Sequence, residues 1–93
     1  MSSYKKLDSS LLDSSLWCES TSTRLVWITM LLMSDDFGNV RASIPGIARQ
    51  AGVSIIDTKT AIAKLQAIDP YAKENGFDGR RIAPTATGWT IFN

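Results

Sequence analysis

Arg41, Arg49, Lys59, Lys64, Arg80 and Arg81 are six of the seven basic side chains between positions 41 and 81 of this 93-residue chain, and their chemistry is that of phosphate binding. Each is a cationic hydrogen-bond donor of the type that neutralises an anionic backbone and displaces its counterions. Residues 40–66 hold four of them against a single acid, Asp57, a local charge of +3, whereas residues 1–39 sum to −2 and residues 67–93 to 0. The whole chain carries only +1, so placement rather than total charge is the informative quantity. Interleaved with the first four cations stand Ser54, Ile56, Thr60 and Ala63. Their hydroxyls suit either kind of base edge and their methyl groups suit the thymine methyl, so they are the candidates for base readout where the cations only set position.

Other chemistries find little support. There is no histidine, and Cys18 is the single cysteine, so neither a disulfide framework nor a zinc site assembles within one chain, and the composition fits a reducing interior such as the cytosol. The adjacent Asp35 and Asp36 lack further spaced oxygen ligands and read as a solvated loop rather than a metal site. No glycine-rich phosphate loop precedes a helix, no activating base neighbours Cys18 in sequence, and the carboxylates fall in loops. The reading therefore expects no enzyme, no cofactor, no metal and no small-molecule substrate. The most apolar run, "LVWITMLLM" at 25–33, is about half of the roughly 20 residues a bilayer demands. It also lacks the flanks of a secretion signal, so it reads as a buried helix and no membrane association is expected.

The elements that must position these residues follow from pattern. At 93 residues, 44% of them hydrophobic, one modest core is affordable and two domains are not. "LDSSLLDSSL" at 7–16 states a five-residue unit twice; its leucines, with Trp17, predict a short, weak helix packed on the body, with a disordered arm as the alternative. A helix starting at Ser22 or Thr23 and running to Ser34, apolar on nearly every side, predicts a central buried element. Gly38-Asn39 marks a turn, and "VRAS" at 40–43 a brief strand.

Ser43 is placed to cap a helix with Pro45 in its first turn, running to Ala51. Gly52 supplies the left-handed corner, Val53 turns into the core, and Ser54 with Asp57 opens the next helix as an acidic capping box. That is a helix-turn-helix. Its second helix, residues 54–67, aims Thr58, Ala61, Ile62 and Leu65 at the core and turns Ile56, Thr60, Ala63 and Ala67 outward, flanked by Lys59 and Lys64. Asp69-Pro70 ends it, "DPYAKENGFDG" predicts a protruding loop, and "RRIAPTATGWTIFN" predicts a hairpin with Pro84 at a strand end or edge. Trp17, Trp27 and Trp89 read as core rather than as base-stacking platforms.

The fold class is thus α+β, mostly α: a three-helix core, a short strand and a C-terminal hairpin. The order is that of a winged helix-turn-helix over residues 22–93, preceded by an extension over 1–21. "TRLVWITMLLMSDDFGNVRASIPGIARQAGVS", the "IDPY" after the second helix, and "GRRI" before "GWTIFN" resemble the N-terminal domains of phage and prophage replication proteins. The block "GNVRASIPGIARQAGVS" is the most specific part. The resemblance implies a replication initiator or replisome organiser whose winged domain sits on double-stranded origin DNA, in the cytoplasm of a prokaryotic or phage-infected cell and associated with the nucleoid. It also implies further domains for helicase loading, and the end of the second hairpin strand is expected to be a domain boundary. A more distant resemblance is to GntR-type repressors. At the positions matching Ile55, Ile56, Asp57 and Lys59 those proteins tend to carry arginines and threonines, and only Lys59 agrees in charge.

Three functional readings stay open. In one the protein binds DNA, with Arg41, Arg49, Lys59 and Lys64 on phosphates, Arg80 and Arg81 joining from the wing base, and Ser54, Ile56, Thr60 and Ala63 at base edges. In another the same fold serves protein contact, as a homo-oligomer or with a replication-protein partner, through the Ile56-Thr60-Ala63-Ala67 stripe. In the third it is a small phage-type transcriptional regulator.

Overall fold

The computed structural model describes residues 9–13, 15–67 and 80–92. The architecture is α+β and mostly helical. Helices α1 (Thr21–Met33), α2 (Ile44–Ala51) and α3 (Ile55–Gln66) pack with strands β1 (Asn39–Arg41), β2 (Ile82–Thr85) and β3 (Gly88–Ile91). The strands form one antiparallel sheet in the order β1-β3-β2. The expected protruding loop from Asp69, and Asp69-Pro70 itself, lie outside the described residues.

Each helix begins where a hydroxyl can satisfy amides that have no partner within the helix. Ser20 caps α1 by accepting from the Thr23 amide at 3.2 Å, Ser43 caps α2 from Gly46 at 3.2 Å, and Ser54 caps α3 from Asp57 at 3.0 Å. The second and third match the sequence reading. The first is shifted: Ser20 rather than Ser22 or Thr23 is the cap, because Thr23 is fully buried and spends its hydroxyl on Ser20 Oγ at 3.0 Å.

The reading of α1 as apolar on all sides needs a second correction. Val26, Trp27 and Met30 are buried at helical spacing, but Leu25 and Leu32 are exposed. α2, α3 and β1 together contact α1, yet a domain this small has too few elements to wrap a helix completely. The N-terminal repeat forms two short 3₁₀ turns, Ser9–Asp13 and Ser15–Cys18, with Leu16 in the core and Leu11 packed against it. The serine-rich repeat competes for its own backbone hydrogen bonds, which disfavours a longer α-helix there.

Between α1 and β1 the chain reverses around Asp35. Its carboxylate accepts from the Phe37 amide at 2.8 Å and the Asn39 amide at 2.9 Å, so the pair read as a solvated loop contains a side chain that holds the turn. These two amides, Asn39 first and then Phe37, hold the Asp35 carboxyl below its ordinary value of 3.8, with the Arg41 guanidinium contributing less. A lowered folded pKa gives stability that is present above the ordinary carboxylate value and lost as pH falls through the folded one. The wild type is therefore expected to lose thermal stability below about pH 4 more steeply than Asp35→Asn, whose amide oxygen still accepts but does not titrate. Parallel melting-temperature profiles for the two proteins would refute this contribution.

The core joins Val26, Trp27 and Met30 of α1 to Ile47 of α2, Ile62 and Leu65 of α3, and the sheet residues Val40, Ile82 and Ile91. Ile82 and Ile91 are direct cross-strand partners, and Pro84 sits in β2, which is an edge strand as the sequence reading expects and does not need its missing donor. Among the described residues no helix is long and apolar enough to cross a membrane.

Candidate nucleic-acid interface

The corner between α2 and α3 decides which face of α3 looks outward. Gly52 adopts φ 70°, ψ 34°, the left-handed conformation that a side chain disfavours, and the amide of Val53 donates to Ala48 at 3.0 Å to close the turn. α3 then packs on α1, α2 and β2. Thr58, Ala61, Ile62 and Leu65 are all buried, as spacing predicts, and Thr58 satisfies its hydroxyl on the Ser54 carbonyl at 2.8 Å. The opposite face is open: Ser54, Ile56, Lys59, Thr60, Ala63, Lys64 and Ala67 are exposed, with Ile56 at 75%.

The hairpin is fixed against the last turn of this helix. The Arg81 amide donates to the Leu65 carbonyl at 2.9 Å, and the indole Nε1 of Trp89 donates to Gln66 Oε1 at 2.8 Å. These two bonds set the position of β2 and β3 relative to α3. Spacing gave no warning of the second, since Trp89 read simply as core and Gln66 was not singled out; it is half-buried and keeps its polar edge on a partner.

The six cations divide by what surrounds them. Arg49, at the end of α2, and Lys59, in the second turn of α3, are exposed and form no ion pair with any described residue. Lys64 is exposed but pairs with Glu19, which precedes α1. Arg41, in β1, stands 4.0 Å from Asp35, a loose contact with both groups in solvent. Arg81 places its guanidinium over the Trp27 ring of α1, 5.9 Å from the centroid, and is half-buried, as is Arg80. Arg81 thus lies beside the C-terminal end of α3, about 9 Å along the axis from the level of Lys59, taking 1.5 Å per residue from 59 to 65. The reading that placed Arg80 and Arg81 with the helix lysines is met only as far as the hairpin's attachment to α3. Asp78 and Glu74, the acids that precede Arg80 and Arg81 in sequence, lie outside the described residues.

Arg49 and Lys59 are therefore exposed cations with no ion pair to a described residue, whereas the exposed hydroxyls of α3 have partners within the helix: Ser54 Oγ accepts from the Asp57 amide and Thr60 Oγ1 donates to the Ile56 carbonyl at 3.2 Å. Sequence reasoning missed Glu19, whose partner is 45 residues away and carries no periodic signal. No protein-family model, curated protein or solved structure matches the chain.

Proposed function

We propose that this chain is a winged helix-turn-helix domain that binds double-stranded DNA, in a replication initiator of the phage type that recognises its origin. The observation that carries the reading is the outward face of α3: a capped helix follows a left-handed glycine corner, its polar face is free of the core, and a hairpin is tied to its last turn. A helix presented in this way fits the major groove, and a hairpin beside it reaches the flanking backbone. In this reading Arg49 and Lys59 meet phosphates in the free protein's existing geometry, while Ser54, Thr60, Ile56 and Ala63 approach base edges. With few cations, one copy should bind in about the micromolar range at low salt, and repeated origin sites or self-association would raise the avidity. A mobility-shift titration against fragments of the replicon that encodes the protein, with random duplex as control, tests it. Preferential binding to one fragment supports an origin-recognition role, and no binding to any duplex at low salt rejects it.

A second reading is favoured by Ile55 and Ile56, exposed at 48% and 75%. Two isoleucines in water at the start of a helix suit burial in a protein contact, worth about 1.5–3 kcal/mol for each one fully covered. If this face joins two copies, Ile56→Glu should convert a dimer to a monomer in sedimentation velocity while leaving the helical circular-dichroism signal unchanged. A wild-type protein that sediments as a monomer at high concentration excludes self-association through it.

A further inference from the structure

The cation nearest the end of the proposed DNA-facing helix is already engaged by the protein's own carboxylate. Lys64 follows Thr60 by one turn on the exposed face of α3, and its Nζ donates to Glu19 Oε1. Glu19 belongs to the short link between the second 3₁₀ turn and α1. That link is held in place from several directions. Leu16 is buried in the core, the Glu19 amide donates to the Leu16 carbonyl at 2.9 Å, Ser20 caps α1, and the Arg24 guanidinium lies 5.1 Å from the centroid of the Trp17 ring. The carboxylate is therefore presented to α3 by an anchored backbone rather than by a chance surface encounter.

We propose that Glu19 is an internal stand-in for a DNA phosphate: it holds Lys64 in the free protein and must be exchanged for a backbone phosphate when DNA binds. This rests on the reading of α3 as the DNA-facing helix. Both partners are partly in solvent, the lysine side chain at 54% and the glutamate at 34%, so the contact is weak enough to be exchanged. After exchange Glu19 is left close to the DNA backbone, where its charge opposes binding. The pair thus sets a ceiling on affinity for any duplex and leaves Arg49 and Lys59 to make the first contacts.

The test compares four proteins, wild type, Glu19→Gln, Lys64→Gln and the double variant, by fluorescence anisotropy on a labelled duplex at about 50 mM salt. Glu19→Gln is expected to bind about two- to fivefold more tightly than wild type, the range an exposed pair supports. The gain should shrink as salt is raised to about 200 mM and should be clearly smaller in the Lys64→Gln background, where only the repulsion between Glu19 and the backbone remains. Circular dichroism establishes that each variant is folded. If Glu19→Gln loses its helical signal, Glu19→Asp, which keeps the charge but draws it back by one methylene, serves in its place and should show a smaller gain. Wild-type binding with no gain in Glu19→Gln overturns the exchange while leaving the DNA reading intact. An equal gain with Lys64 removed overturns it too, because Glu19 would then act by general repulsion. Absence of binding by all four proteins rejects the DNA reading and the exchange with it.

Discussion

Gly88→Ala is expected to lower the unfolding free energy by about 3 kcal/mol or more, the upper range of overpacking penalties. A Cβ built at Gly88 meets the Val40 carbonyl oxygen at 1.9 Å and the Ala42 amide nitrogen at 3.0 Å. Both are backbone atoms of β1 and the link that follows it, so no rotamer change relieves the overlap and β1 must move away from β3. Gly88 also lies in the central strand, opposite Arg41 of β1 on one side and Thr85 of β2 on the other, so a shift there is felt by both neighbouring strands. Gly52→Ala provides the contrast. No atom lies within 4 Å of the added methyl there, so the cost is only that of a left-handed backbone, about 1–2 kcal/mol. For a domain of 60–100 residues each kcal/mol moves the melting temperature by about 4–8 °C. Gly88→Ala should therefore melt at least about 12 °C below wild type, with Gly52→Ala between them. If Gly88→Ala melts within a few degrees of wild type, the strands are not this close.

Gly52 and Gly88 also mark the difference between what local sequence reveals and what it conceals. Gly52 is legible because its constraint is local: a helix that ends before Val53 and a cap at Ser54 leave only a left-handed residue between them. The same holds for the buried Thr58, Ala61, Ile62 and Leu65, whose spacing follows from the helix repeat alone. Gly88 carries no such local signal, because its constraint is a carbonyl 48 positions earlier in the chain. Leu25 and Leu32 misled for a related reason. A run of apolar residues reports what could be buried, whereas the number of neighbouring elements decides what is. At the candidate interface the pattern gave the outward face of α3 correctly but not the state of its charges, since Glu19 reaches Lys64 and Trp27 reaches Arg81 through tertiary packing.

That division of the charges separates the cations in a binding experiment. Under the proposed function, Arg49→Glu combined with Lys59→Glu should weaken duplex binding about a hundredfold at low salt, taking about 1.5 kcal/mol for each lost charge-assisted bond. The slope of log affinity against log salt should fall in magnitude by about 2, one counterion for each phosphate no longer neutralised. Both residues are exposed and form no ion pair with a described residue, so their reversal should leave the melting temperature near that of wild type. Arg81→Gln should behave in the opposite way. Its guanidinium stacks on Trp27, so the expected loss is about 0.5–1 kcal/mol of stability with little change in the salt slope. Measuring affinity at several salt concentrations together with thermal unfolding for both variants distinguishes a contact with DNA from a contact within the fold. If Arg49→Glu with Lys59→Glu binds as wild type does, the outward face of α3 is not what meets DNA. If Arg81→Gln flattens the salt dependence as strongly as the double reversal, the hairpin base carries phosphate contacts and the stacked arginine must leave Trp27 to make them.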